Sequence, residues 1–462
     1  MQKEVPPMLF RAKRIDATKG SIVRSIILYA LPLVFSTLIQ TLFNAVDVLV
    51  LGNMADSVAV ASVGATTTIV HLLVNTFVGL ASGTKIIMAH QIGARDREGV
   101  DKTVGTSLIS AIVIGTVIAL GGFFLAPLFL TLTNCPTECY DGALIYLRIY
   151  VSAAPAIMLY NFGSSVLSSS GDTQRPMYYI FFCGLLNVIL NVILCLILPQ
   201  KVAAVAIATA AAQILGAFFV MHRLCTMEGI GHVTLSKMKW HAHSFGRMMR
   251  YGVPIALSNA LYPLANLQIQ SAINSFGPSA IAGNSAASTV EGFSSAFNGA
   301  MGTTTTTFMG QNLGAKKPDR VKKTFIRCIL MAVSSALVMG IFIYLTGRFW
   351  LGLILPDDRL AVDYGMIRMF FITLFVFISA SNSVLSHALQ AFGVSIFSAV
   401  NSIVSIFGFR MIWMTFIYPR FQTFECLMAC FLVSWCFMLL CNITVFSFIY
   451  RQYKRNRLRN VE

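Results

Sequence analysis

An all-α polytopic membrane protein, with twelve transmembrane helices in two pseudo-symmetric six-helix lobes, is the fold class that three features of this 462-residue sequence predict. Charge is scarce: 11% of residues are Asp, Glu, Lys or Arg, against roughly 25% in soluble domains, while 56% are apolar. Twelve apolar runs are long enough to cross a bilayer as helices, which takes about 20 residues each. Motifs of the first half return in the second at a spacing of about 220 residues. A soluble multidomain protein and a disordered chain are both excluded.

In order, the runs cover roughly 26–50, 58–83, 103–126, 144–168, 177–198, 202–222, 251–275, 280–306, 325–346, 366–390, 396–418 and 425–450. The first is too long for a signal-peptide core and lacks a small-residue cleavage site, so it reads as a retained span. Six spans return the chain to its starting side. Residues 26–222 therefore form an N-lobe and 251–450 a C-lobe. Residues 1–25 precede them, 223–250 make a polar, basic linker, and 451–462 a basic tail.

The 34 Lys and Arg outnumber the 18 Asp and Glu, giving a formal charge of +16. On a soluble chain that excess suggests nucleic acid. Here the cations sort by side. The cytoplasmic set begins at Lys3, Arg11, Lys13, Arg14, Lys19 and Arg24, takes in Lys85, Arg95, Arg97, Lys102 and Arg175, and gathers the linker (with Lys237), the segment around Lys316–Arg327, and the tail (with Arg457 and Arg459). The opposite side has at most Arg148, Lys201, Arg348, Arg359, Arg368 and Arg420, with Arg410 left inside a span. That asymmetry predicts cytoplasmic N and C termini in a multi-pass plasma-membrane protein surrounded by lipid, with no nucleic-acid partner.

Paired motifs support the duplication. LYALPL (Leu28–Leu33) returns as RYGVPI (Arg250–Ile255), and HQIGARD (His90–Asp96) as GQNLGAKKPD (Gly310–Asp319). YLRIY (Tyr146–Tyr150) returns as MIRMF (Met366–Phe370), and LSSSG ending at Gly171 as LQAFG ending at Gly393. An even span number puts both copies in one orientation, a parallel repeat typical of transporters, with a binding site expected between the lobes near mid-membrane.

The run LFNAVDVLVLGNMADSVAVASVGATTT (Leu42–Thr68), followed by GLASGTKIIMAHQIGARD (Gly79–Asp96), resembles the multidrug and toxic compound extrusion (MATE) family. So do the GDTQRP turn (Gly171–Pro176), INSFGPSAIAGNSAASTVEGF (Ile273–Phe293), FMGQNLGAKKPDR (Phe308–Arg320) and FGFRMIW (Phe407–Trp413). The resemblance runs from about Arg24 to Tyr450. It implies a V-shaped cleft between the lobes and export of amphipathic, often cationic organic compounds in exchange for H+ or Na+; a functional monomer is the expected oligomeric state.

A carboxylate at the bilayer centre costs on the order of 2.5–3.5 kcal/mol, so buried acids are candidates for function. Only Asp47 and Glu291 lie well inside spans. Asp47 ends a stripe of Ser36, Gln40, Asn44 and Asp47 along one helix face. The second half repeats the stripe as Ser258, Tyr262 and Asn266 and continues to Gln270, but Ile269 stands where Asp47 would. Asp47 is thus expected to carry the coupling ion, H+ or Na+. Glu291, in STVEGFSS near the repeat-equivalent of His71, is the second ion-coupling candidate, or else a hydrogen-bond partner of Asn298 or the Thr303–Thr307 tract. Many relatives carry an Asp on the fifth span, four residues after an Asn. Here LLNVILN supplies Asn187 and Asn191, so the second carboxylate is an amide that binds a cation or Asp47 without titrating, or merely joins helices.

His71 and His387 are candidate pathway residues or interior histidines, and Arg410 is expected to meet a carbonyl or an acid. Cys135 and Cys139, in CPTEC, are either a disulfide or two free thiols; the remaining cysteines read as small packing residues. His241 and His243, in WHAH of the linker, are a candidate metal-binding pair or two lone histidines of a solvated loop. HExxH, GxSxG and Walker A sequences are missing, so an enzyme or an ATP-driven pump lacks its parts, and no cofactor is called for. A lipid-linked precursor flippase is the alternative, and it would need a cationic cleft.

Overall fold

The computed structural model describes residues 14–133, 135–229, 231–234 and 238–459, apart from the side chains of Asn44, Val48 and 456–459. Lys3, Arg11, Lys13 and Lys237, and the side chains of Asn44, Arg457 and Arg459, therefore lie outside what can be described. The chain is helical, with no strand among the described residues. The N-terminal six spans are α1 (Ile22–Met54), α2 (Ser57–Ala94), α3 (Arg97–Leu132), α4 (Thr137–Ser152 with Ala154–Ser169), α5 (Gln174–Ile197) and α6 (Lys201–Thr226). The C-terminal six are α7 (Ala242–Asn274), α8 (Pro278–Gly314), α9 (Pro318–Leu345), α10 (Arg359–Ile372 with Val376–Ala391), α11 (Ser395–Phe421) and α12 (Phe424–Arg459).

Eight of these are single helices long and apolar enough to cross a membrane, ten with each bent pair taken as one span; α7 and α8 are long enough but more polar. The molecule is inverted relative to a soluble protein. Phe124 and Leu345 are 76% and 75% exposed, whereas Asn191 and Thr305 are fully buried. Outward apolar side chains facing lipid, and polar groups satisfied within, are what a bilayer imposes.

The duplication reaches the bends. α4 turns by 47° and α10 by 43°. Pro155 breaks the hydrogen-bond ladder of α4. In each lobe a glycine of the preceding helix receives the bend: Gly115 of α3 lies against Pro155, and Gly340 of α9 against the Thr373 carbonyl. A Cβ at either glycine would collide with backbone.

The lobes meet at one end, along α2. Gly79 lies against Ala256, Gly83 against Met248, Gly93 against Gln311, and Gly314 against His90, each too close for a side chain. Lipid gives helices no hydrophobic drive to associate, so close backbone approach at small residues is the usual solution. Residues 14–19 are drawn into this seam. Ile15 N donates to Gly171 O at 3.1 Å. Ala17, 1% exposed, donates its N–H to Gln311 Oε1 at 3.0 Å, while its carbonyl accepts from Asn312 Nδ2 at 3.1 Å and Arg320 Nε at 2.9 Å. Gln311 Nε2 reaches across to Ser169 O at 2.7 Å, and the Tyr29 hydroxyl joins Ser168 O and Thr307 Oγ1 at 3.0 and 2.9 Å.

Several helices project past their apolar runs. α2 reaches Ala94 rather than 83, which places Lys85 inside a helix at the lobe interface, not in a loop. α6 and α7 run to Thr226 and from Ala242, so the linker proper is shorter than its polar stretch. Cys135 and Cys139 are free thiols.

Candidate functional site

Two polar chambers are built into the helical interior, one in each lobe. In the N-lobe, Asp47 on α1 faces Asn187 and Asn191, one turn apart on α5. Asn191 Nδ2 donates to Asp47 Oδ1 at 2.6 Å. With its amide turned so that Nδ2 faces the carboxylate, Asn187 donates to Asp47 Oδ1 at 2.6 Å and Oδ2 at 3.2 Å, and accepts from Thr209 N at 3.3 Å. Both asparagines are buried, and Asn191 Oδ1 has no hydrogen-bond partner. Gln40, Asp47, Asn187, Thr209 and Gln213 line a cavity of about 120 Å³ with Phe43, Tyr160 and Cys183. Of the α1 stripe, Ser36 is buried, and Asp47 and an exposed Gln40 border this cavity.

The C-lobe chamber is larger, about 330 Å³, and is lined by Tyr262, Asn266 and Gln270 of α7, Asn284, Glu291, Ser294 and Asn298 of α8, Arg368 of α10, and Phe431 and Trp435 of α12. Glu291 is not a free carboxylate. Arg368 grips it from Nη2 at 2.7 Å and Nε at 3.2 Å, and Arg368 Nη1 donates to Asn284 Oδ1 at 2.6 Å. Thr373 Oγ1 adds a bond to Glu291 at 3.4 Å. This corrects the assignment of Arg368 to an external segment: it lies on α10, within the apolar run, and its side chain is 11% exposed. A cation-binding carboxylate at Glu291 does not fit, because a guanidinium already occupies that place.

Arg410 is 1% exposed and meets an amide carbonyl rather than an acid. Its Nη1 donates to Asn266 Oδ1 at 2.8 Å and its Nε to Ser434 Oγ at 3.4 Å. The guanidinium also lies 4.3 Å from the Phe431 ring centroid.

The histidines fall outside both chambers. His71 is exposed on α2. His387 Nδ1 pairs with Ser383 O at 2.8 Å, and its ring lines a separate pocket with Asn382, Ser386 and Gln390. The threonine tract is structural: Thr304 and Thr305 bond back to Ala300 and Met301 carbonyls, and Thr306 reaches His387 O. Sequence reasoning missed Arg368, Asn284, Thr209 and Phe431. Arg368 was signalled by its position within the 366–390 run; Thr209, in an alanine-rich stretch, gives no comparable signal.

Twelve helices in two related lobes, each enclosing a polar chamber behind an apolar surface, define a membrane transporter of the repeat-built class. The chain belongs to the MATE family: the MatE family model matches residues 32–193 and again 254–415, once in each lobe. It is 25% identical over 404 residues to the probable multidrug resistance protein YpnP of Bacillus subtilis, covering 86% of this chain and 89% of that one. It is also 25% identical over 417 residues to the probable multidrug resistance protein YoeA of the same organism, covering 88% and 89%. A solved structure described as the outward-facing conformation of a multidrug resistance MATE family transporter superposes with a TM-score of 0.85 over 95% of this chain and 99% of that one, at 21% identity.

Proposed function

We propose that this protein is an ion-coupled exporter of amphipathic organic compounds, in which Asp47 carries the coupling ion. The observation that carries this reading is the carboxylate of Asp47 held between the two amides of α5. An amide can serve either protonation state at one position: its N–H donates to a carboxylate, and its C=O, after rotation, accepts from a carboxylic acid. The unpartnered Oδ1 of Asn191 is available for that exchange. Because the two amides can serve both protonation states of the carboxyl in place, the reading takes H+ as the coupling ion. One carboxylate per site supports one ion per cycle.

The basic ends of α2, α8 and α9 gather where the lobes meet. With that end cytoplasmic, the cleft faces outward, as the positive-inside rule requires of both termini. Release of the proton from Asp47 and its replacement then bias two states of the lobes, and differential affinity of each state for ion and substrate supplies the coupling. The energy available is about 2.3 kcal/mol per charge per 100 mV.

The test is uptake of dyes into inverted membrane vesicles under an imposed pH or Na+ gradient. The proposal requires acceleration by the pH gradient, and acceleration by neither gradient rejects antiport.

A further inference from the structure

We propose that the C-lobe chamber reads an anionic group on the transported molecule, a carboxylate or phosphate on an amphipathic aromatic compound, through Asn266 backed by Arg410. This deepens the transporter reading above and rests on it.

The argument starts from charge. Arg368 spends its positive charge on Glu291. Arg410 has no such partner: none of the ion pairs among the described residues includes it, and its Nη2 is buried without a hydrogen bond. A buried guanidinium with no counter-charge costs several kcal/mol in lipid or protein surroundings. Three of its contacts, Tyr262, Asn266 and Phe431, line the open chamber. Asn266 gives its carbonyl to Arg410, which polarises the amide and leaves Nδ2 as a donor for whatever enters.

The helix carrying Arg410 is independently unusual. α11 winds as wide π-helical turns over Ile403–Gly408 and again over Trp413–Ile417, with a single α-turn, Phe409–Ile412, between them. Such turns are rare and occur frequently at functional sites. Here they flank Arg410 on both sides. At the lobe seam the Lys85 side chain likewise makes no hydrogen bond or ion pair among the described residues. The interior therefore holds more positive than negative charge. The Phe431 and Trp435 rings beside the chamber suit a flat aromatic body, and the anionic group completes the missing charge.

Rhodamine 110 and its methyl ester, rhodamine 123, share one ring system and differ in a single free carboxylate. Their binding to the purified protein in detergent, followed by fluorescence polarisation, needs no ion gradient, so it is independent of whether transport is proton-coupled. The proposal expects rhodamine 110 to bind about tenfold more tightly, equivalent to about 1.4 kcal/mol. Arg410→Met should erase that preference. Asn266→Asp, which gives Arg410 an internal counter-ion and preserves the packing, should erase or invert it, so the test survives if Arg410→Met does not fold. A lipid source is read by competition: displacement of rhodamine 110 by dihexanoyl phosphatidylglycerol, but not by the phosphatidylcholine, assigns the chamber to a headgroup and overturns the proposal. Equal or tighter binding of the ester, binding of neither dye, or a preference unmoved by Asn266→Asp overturns it as well.

Discussion

Asn191 Nδ2 lies 2.6 Å from Asp47 Oδ1, and the oxygen of that amide, though buried, has no partner. The partner of the Asp47 carboxylate is therefore a group that donates or accepts but does not titrate. Asn191→Leu removes the donor and leaves the carboxylate with Asn187 alone. A hydrogen bond to a charged group is worth about 1.5–3 kcal/mol. The variant is expected to reach the membrane in normal amount, with gradient-driven export reduced about tenfold or more; export at the parent rate would show that the contact does not matter.

Glu291 and Arg368 form a nearly buried pair, 10% and 11% exposed. Removing one partner of such a pair strands a charge, at a cost of about 3–5 kcal/mol, whereas replacing both by apolar groups is often neutral. Arg368→Met is predicted to lower the melting temperature of the purified protein markedly, and Arg368→Met with Glu291→Leu to recover most of the loss. If the single and double variants melt alike, the two residues are not coupled.

Gln311 ties three pieces together at the closed end, accepting from Ala17 N and donating to Ser169 O. Gln311→Ala breaks both bonds, each worth about 0.5–1.5 kcal/mol net. Hydrogen exchange of the peptide containing Ala17 should then speed up by roughly tenfold while peptides from the α5 core stay unchanged. Unaltered exchange at Ala17 would mean that the N-terminal segment is held by Asn312 and Arg320 alone.

Gly79 admits the backbone of Ala256 so closely that an added methyl collides with it. Overpacking of this kind costs about 1–3 kcal/mol. Gly79→Val is predicted to destabilise the closed end specifically, seen as faster exchange in the first turns of α7. Gly64, which has open space around its Cα, should accept valine without effect.

Much of the architecture was legible because the bilayer constrains it: the all-helical class and the number of spans follow from the apolar runs, and the duplication from motif spacing. Asp47 and Asn191 stood out because polar residues are scarce in their helices. Lys85 was misplaced because sorting cations by loop assumes that helices end where apolar runs end, yet α2 has 38 residues, about 57 Å of helix. Arg368 was placed outside although the 366–390 run already contained it. Glu291 was visible as an acid, but its partner 77 positions later was not, because sequence gives no pairing across helices. The seam contacts of Ala17 are likewise purely tertiary.

The central claim is that Asp47 is the site of ion exchange. Proton movement on adding substrate to proteoliposomes, reported by an entrapped pH-sensitive dye, tests it most directly when the parent protein is compared with Asp47→Asn at equal folded amounts. The account predicts a substrate-dependent pH change for the parent and none for the variant. A pH change of the same size from Asp47→Asn would contradict it.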